Sequence, residues 1–246
     1  MIGRTIGAMA LIAWSMPAES AGPPAANKLI VLVQSSGCDM AMLRPQLEAA
    51  GRAMAGNRRT TRVIVDLPAD ARQNLDLMGR PSAFAGAIEV SAARPVLTGL
   101  ARHIVDALGA GCRTGVYLVH ERRLMITPRT WPLGVPSPAS KTFVTLNRKA
   151  GLSFADFDRE WAGPHAQLAM VWRTARGSDG HYVQNLVVGR VGEASPLDGI
   201  GESEGPGEIP NPQERDARMK TAAHAQTFQD VARSAMFIAR EVILKD

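Results

Sequence analysis

Residues 141–146 (KTFVTL) and residues 28–33 (KLIVLV) are two short apolar runs that each begin with lysine and lie 113 residues apart. Continuous apolar runs of this length, bounded by turn residues, are typical of buried β-strands. Residues 86–89 and 199–202 are separated by the same 113 positions and match in their Gly and Glu. A third set matches at a shift of 120: Tyr117, Leu118 and Glu121 with Phe237, Ile238 and Glu241. These matches predict an internal duplication.

Each half shows the same predicted order of elements: strand, helix, strand, strand, helix, strand. In the first half, residues 40–54 carry apolar side chains at helical spacing and stop before Gly56. In the second half, Ser153 and Asn211 are predicted helix N-caps. The order predicts an α+β protein of two ferredoxin-like (β-α-β-β-α-β) repeats, each a sheet with helices on one face. The bare sheet faces are expected to pack together as an intrachain pseudo-dimer.

The predicted boundaries follow from composition. Residues 126–140 contain four prolines and are predicted to link a first repeat (27–125) to a second (141–246). Residues 1–26 are predicted to be a leader and linker, and 1–21 resemble a short secretory signal. Because Glu19 is awkward so close to a cleavage site, export and a cytoplasmic location both remain open.

Composition excludes several classes of function. The chain is 46% hydrophobic and 21% charged, which predicts a folded globular protein. Its net charge of +5 comes from scattered basic residues without interleaved aromatics, so no nucleic-acid partner is expected. No apolar stretch is long enough for a membrane span. No phosphate loop or metal-ligand spacing occurs, so neither a metal nor a cofactor is predicted. The predicted topology brings Cys38 and Cys112 to one end, where free thiols and a disulfide both remain open.

Residues 148–172 (RKAGLSFADFDREWAGPHAQLAMVW) contain the strongest candidate for chemistry. Three rings at steps of four share one face of a continuing helix: Phe157, Trp161 and His165. Pro164 is expected to kink or restart this helix, because its ring clashes with the carbonyl four residues earlier. An imidazole at such an irregularity suits acid–base chemistry. The alternative is a structural histidine that pins the kink to the sheet.

The second half resembles the EthD family, within the dimeric α+β barrel superfamily. The pattern consists of a basic pair, Gly-Leu-Ser and three spaced rings: Arg148, Lys149, Gly151, Leu152, Ser153, Phe157, Trp161 and His165. Further matches are Tyr182-Val183-Gln184-Asn185, Asp198-Gly199-Ile200, Phe228, Ser234 and Glu241. The match spans 141–246. It departs from the family at His224, where an acidic residue is common, and in the long loop 204–211. The first repeat has Arg44, Glu48 and Arg52 at the corresponding ring positions, which predicts a single site.

The resemblance implies a dimeric α+β-barrel-type pseudo-dimer and an enzyme or accessory protein in oxidoreductase-associated catabolism. The expected substrate is a small hydrophobic, aromatic or carbonyl-bearing molecule, with His165 as acid or base and no tightly bound cofactor. The alternatives are a non-catalytic ligand-binding or stress-related barrel protein, and a decarboxylase, dehydratase or isomerase acting on an aromatic substrate. A homodimer or a redox-protein partner is also compatible, and the family favours a cytoplasmic location.

The predicted catalytic residues are His165 and Tyr182, and the predicted substrate-binding residues are Phe157, Trp161, Asn185 and Asp198. Phe157 and Trp161 are expected to belong to the core or to the pocket wall and not to react themselves. Tyr182 and Asn185 differ by three positions and therefore point to opposite faces of a strand. Tyr182 is preferred on the helix-covered face with His165. For Asp198 the alternative is a residue that closes a turn, and His181 and His224 are candidates for a polar cluster.

Overall fold

The computed structural model describes residues 24–68, 81–109, 112–175, 180–204 and 211–246. Its eight strands are β1 Lys28–Gln34, β2 Thr60–Pro68, β3 Phe84–Ala92, β4 Thr114–Met125, β5 Lys141–Leu146, β6 Tyr182–Val191, β7 Gly199–Glu204 and β8 Met236–Lys245. They pair antiparallel in the order β1-β3-β2-β8-β5-β7-β6-β4, and β4 pairs with β1 to close a barrel.

The predicted fold class, two ferredoxin-like repeats packed through their bare faces, is wrong. The strands of both halves belong to one closed eight-stranded antiparallel barrel. The halves join edge to edge, because β2 pairs with β8 and β4 pairs with β6. Open strand edges expose unpaired N–H and C=O groups, and closure satisfies them. The internal duplication itself stays a prediction.

The helices begin where local signals place them. They are α1 Met40–Ala55, α2 Arg94–Leu108, α3 Phe154–Glu160, α4 Ala166–Ala175 and α5 Pro212–Phe228, with a short 3₁₀ turn at Val231–Arg233. The side chains of Asp39, Ser153 and Asn211 each accept a hydrogen bond from a backbone N–H of the first helical turn. The predicted N-caps Ser153 and Asn211 are therefore confirmed.

Alternation along the strands divides the core into an inside and an outside. Leu29 and Val31 of β1 pack with α1 and α2, whereas Ile30 and Leu32 belong to a cluster drawn from strands and loops. That second cluster fills the barrel and includes Phe84, Tyr117, Phe143, Val187, Ile200 and Phe237. The helices therefore cover the outer face of the barrel.

Three sequence-based expectations concern the connections. A disulfide joins Cys38 and Cys112, whose Cα atoms are 4.4 Å apart. Residues 126–140, the predicted linker, contribute no residue to a helix or a named strand. The predicted leader lies almost wholly outside the described residues. Within the described ranges, every helix is too short or too polar to cross a membrane.

Candidate functional site

The helix of the predicted motif changes its winding where Pro164 interrupts its hydrogen bonding. Between α3 and α4, residues Trp161–His165 form a π-helical turn. Proline has no N–H to donate to the carbonyl four residues earlier, and a π-turn accommodates that loss while the helix continues. Such turns are frequent at functional sites. The turn carries His165 and directs it toward α5.

His165 packs against two rings of α5. Its centroid lies 5.1 Å from that of Phe228, which it meets edge-on, and 5.7 Å from that of His224. Burial, reinforced by the neighbouring His224 and Arg173, lowers the pKa of His165 to about 4. Its Nδ1 is buried and has no hydrogen-bond partner in the described part of the chain. His165 is therefore a neutral imidazole with an unused nitrogen.

His224 and Glu160 extend this site toward solvent. Nε2 of His224 lies 3.6 Å from Oε2 of Glu160, and the two side chains are 20% and 34% exposed. His224 belongs to the inward stripe of α5, four residues before Phe228. We call His165, His224 and Glu160 the histidine pair site. The sequence marked His224 as a departure from the family pattern and as a candidate for a polar cluster, whereas Glu160 carried no signal.

Phe157 and Trp161 are core residues in this structure. Both are fully buried, and they pack with Leu146, Leu186 and Phe228 between the barrel and the helices. The indole of Trp161 packs against Gly199, where an added Cβ would lie 2.5 Å from the nearest ring atom. The glycine of the motif is therefore required for packing. The predicted substrate-binding role of Phe157 and Trp161 stays a prediction.

Tyr182 and Asn185 lie on opposite faces of β6. Tyr182 packs with Ala166 and Ala169 on the helix side, its ring lies 4.1 Å from the Arg173 guanidinium carbon, and burial raises its pKa. Its hydroxyl accepts a hydrogen bond from Gln184 at 2.9 Å. Asn185 points into the barrel and donates to Glu202. The ring contacts of His165 are with α5, so the structure assigns the two predicted catalytic residues to different surroundings.

Asp198 links two loops. Its Oδ2 accepts a hydrogen bond from the backbone N–H of Arg148 at 2.8 Å, and its Oδ1 pairs with the Arg148 guanidinium at 2.7 Å. These contacts tie the loop before α3 to the loop before β7. Asp198 and Arg148 thus connect two loops, and the substrate-binding role predicted for Asp198 stays a prediction.

The barrel interior contains a second polar group that the sequence reasoning missed. This barrel charge cluster has two lysines and five carboxylates: Lys28, Lys141, Asp66, Glu89, Glu121, Glu202 and Glu241. Burial acts to lower the pKa of each lysine, but the surrounding carboxylates raise it. Burial opposes ionisation of Glu202, yet the two lysines hold its pKa well below the usual value. Several of these residues are the ones that marked the repeat.

An open cleft of about 520 Å³ lies beside the C-terminal end of α5. Its lining residues are Lys149, Ala150, Gln226, Gln229, Asp230 and Val231. His165 does not line this cleft. Phe228, whose ring contacts His165, lies between the lining residues Gln226 and Gln229 in the chain. In the ranges that the structure describes, no group of three or more His, Cys, Asp or Glu is arranged to bind a metal ion.

No protein-family model and no curated protein sequence matches this chain. Solved structures do. An anthrone oxidase-like protein superposes with a TM-score of 0.58 at 9% identity, over 90% of this chain and 94% of the other. A candidate monooxygenase from Fusobacterium nucleatum gives 0.50 at 10% identity, over 90% and 94%.

A haem-bound variant of DypB from Rhodococcus jostii also gives a TM-score of 0.50 at 13% identity, over 89% of this chain and 94% of the other. The anthrone oxidase-like protein and the candidate monooxygenase are antiparallel barrel proteins of the dimeric α+β barrel superfamily. At such low identity the similarity establishes the fold alone, because one fold hosts many unrelated reactions.

Proposed function

We propose that this chain is an EthD-like small-molecule enzyme that removes a proton from a hydrophobic, aromatic or carbonyl-bearing substrate at the histidine pair site. The observation that carries the proposal is the neutral, largely buried His165, held on a π-turn against His224. No tightly bound cofactor is part of the proposal. In this proposal the substrate reaches His165 from the side of Glu160 and His224, whose side chains are partly exposed.

The lowered pKa determines what His165 can do. With a pKa near 4 the ring is unprotonated at neutral pH, so its lone pair is available at all times. Burial disfavours the imidazolium as long as no anion lies beside the ring. An enolate or phenolate formed beside the ring supplies the negative charge that stabilises the imidazolium. His165 therefore suits a base that acts on an acidic C–H or O–H, whose anion remains bound next to it.

Two similarities support the oxidoreductase side of the proposal. The EthD-like pattern covers the helix that carries His165. Among the structures of the same fold, one is described as anthrone oxidase-like and another as a candidate monooxygenase. An anthrone is an aromatic ketone with an acidic C–H, which matches the chemistry inferred for His165. Oxidation of the resulting anion by O₂ is one outcome, and decarboxylation, dehydration or isomerisation are others that begin from a similar proton transfer.

The test is turnover of anthrone and related hydroxyaromatic ketones, followed by oxygen uptake and product analysis. His165→Gln should abolish turnover while circular dichroism and urea unfolding show a folded protein. His103→Gln is the matched control, because His103 is an exposed histidine on α2, and it should keep full activity. Full activity in His165→Gln would refute the role of His165.

A non-catalytic ligand-binding or stress-related barrel is the second candidate function. It is favoured by the packing of Phe157, Trp161 and Phe228, which fill the space between barrel and helices beside His165. In that case His165 is structural, wild-type protein turns over none of the compounds, and His165→Gln lowers the melting temperature. Ligand affinity, measured with the same compounds by calorimetry, would then remain near the wild-type value.

A further inference from the structure

Two carboxyl groups contact each other inside the barrel, and both also lie beside the Lys141 ammonium. Asp66 of β2 and Glu89 of β3 are 0% and 2% exposed, and their side chains are within hydrogen-bond contact. Lys141 Nζ lies 2.8 Å from Asp66 Oδ1 and 2.5 Å from Glu89 Oε1, and Lys28 Nζ contacts Glu89 Oε2. Asp66 Oδ2 is buried and has no hydrogen-bond partner in the described ranges. Two ionised carboxylates in such contact repel each other. A proton shared between the two carboxyl groups removes this repulsion.

The other half of the barrel has a side-chain hydrogen bond at the position that corresponds to Asp66 and Glu89. Asp66 faces Ala87 across the β2–β3 pair, and Glu89 follows two residues later. Asn185 faces Ile200 across the β6–β7 pair in the same way, and Glu202 follows two residues later. Nδ2 of Asn185 donates to Oε1 of Glu202 at 2.7 Å. Asparagine and a protonated aspartic acid have nearly the same shape, and each offers one donor at this position.

We propose that the barrel contains a proton-binding site in which Asp66 is a neutral carboxylic acid at neutral pH and donates its O–H to Glu89. This proton forms a hydrogen bond to Glu89 that corresponds to the hydrogen bond from the Asn185 amide to Glu202. Glu89 remains ionised, since it pairs with Lys141 at 2.5 Å and also contacts Lys28. The site is independent of the histidine pair site and of the proposed reaction.

Charged groups from every neighbouring strand surround this pair. They are Lys28 on β1, Glu89 on β3, Glu121 on β4, Lys141 on β5, Glu202 on β7 and Glu241 on β8, with His181 next to β6. Five carboxylates face two lysines, so full ionisation would leave an excess of buried negative charge. Burial raises the pKa of Asp66 well above its usual value, and Glu89 and Glu202 raise it further against the opposing effect of Lys141.

A proton held only by the folded chain makes stability depend on pH. In the unfolded chain Asp66 ionises near pH 4, whereas the folded protein keeps the proton above that pH. Raising the pH therefore favours unfolding, by a factor of ten in the unfolding constant for each pH unit over which only the folded state is protonated. Asparagine needs no proton, so Asp66→Asn removes this dependence.

The experiment is urea unfolding of the full-length protein and its variants between pH 5 and pH 8. Asp66→Asn should fold, and its unfolding constant relative to wild type should fall about tenfold for each unit of rising pH. Glu202→Gln, the same type of change at an ionised member of the cluster, should raise the unfolding constant about a hundredfold or more. Asp216→Asn, at an exposed side chain of α5, should show no such trend.

Infrared spectroscopy of wild-type protein at pH 7 gives a second readout. The carbonyl stretch of a protonated carboxylic acid should be present in the folded state and absent after unfolding in urea. An Asp66→Asn variant that is less stable than wild type at both pH 7 and pH 8, or that does not fold, would overturn the proposal. A folded wild-type protein without the carboxylic-acid band would overturn it as well.

Discussion

Lys141 holds the barrel charge cluster together, so its replacement by methionine is expected to destabilise the protein strongly. Its Nζ lies 2.5 Å from Glu89 Oε1, 2.8 Å from Asp66 Oδ1, 3.2 Å from Glu202 Oε2 and 3.3 Å from Glu241 Oε2. The lysine side chain is only 5% exposed. Methionine retains most of the stem volume, so the change removes a charge without leaving a large cavity.

The magnitude follows from the charges that remain. Removing one partner of a buried ion pair costs about 3–5 kcal/mol, because the other partner is left buried and uncompensated. For a chain of this size that loss corresponds to roughly 6–20 °C in melting temperature. Lys28 still contacts Glu89 and Glu202, which keeps the loss within this range.

Urea and thermal unfolding at pH 8 and pH 5 measure the effect. The carboxylates left behind by Lys141→Met bind protons in the folded state as the pH falls, so the loss of stability should be smaller at pH 5 than at pH 8. Lys220→Met is the matched control, since Lys220 pairs with Asp216 on the exposed face of α5, and it should cost about 0.3–0.5 kcal/mol. A Lys141→Met variant within about 1 kcal/mol of this control would refute the reasoning.

Two further predictions concern the histidine pair site and its packing. The pKa of His165 falls from 6.5 to about 4 on folding, so His165 favours the folded state above pH 6.5, and this contribution is lost as the pH falls toward 4. As the pH falls from 7 to 4, the free energy of unfolding of His165→Gln should therefore rise by roughly 3 kcal/mol relative to that of wild type. If urea unfolding shows a stability difference between the two proteins that does not change with pH, His165 is not a buried neutral ring. Gly199→Ala should lose about 1–3 kcal/mol by thermal unfolding because its methyl group meets Trp161, whereas Gly163→Ala, which has open space around it, should be neutral or stabilising.

The features that the sequence predicted correctly depend only on residues that are close together in the chain. Ser153 and Asn211 cap their helices as expected, because an N-cap needs only its own side chain and the next three residues. In the described part of the chain, each half contains four strands, as its predicted order of elements requires. The pairings of β2 with β8 and of β4 with β6 were not predicted. They join segments far apart in the chain, and apolar patterns on two edge strands do not say which edge pairs with which.

The surroundings of His165 were also beyond the sequence. Steps of four placed Phe157, Trp161 and His165 on one helix face, yet Trp161 lies against Gly199 of the sheet while His165 faces α5. The difference comes from the π-turn, which adds a residue to one turn of the helix. No local pattern links His165 to His224, because that contact depends on how α5 packs against the motif helix.

The barrel charge cluster was not predicted from the sequence either, and for a third reason. Lys28, Lys141, Glu89 and Glu202 appeared in the sequence as polar positions at matching places in two apolar strand sets. Alternation shows which residues share a face of a strand, but it does not show that the face is enclosed. Closure of the barrel buries these residues, and burial turns polar strand positions into a paired cluster.

The filled barrel interior favours the helix side as the place for ligand binding. An eight-stranded barrel is just wide enough for side chains to fill. Here the stacked rings of Phe143 and Phe237, whose centroids are 4.5 Å apart, lie in the same interior as the charge cluster. A ligand there would have to displace packed rings or separate buried ion pairs, at a cost of several kcal/mol. The histidine pair site lies on the outer face beside the partly exposed side chains of His224 and Glu160, so binding of the proposed substrate there would leave the core that holds the barrel closed in place.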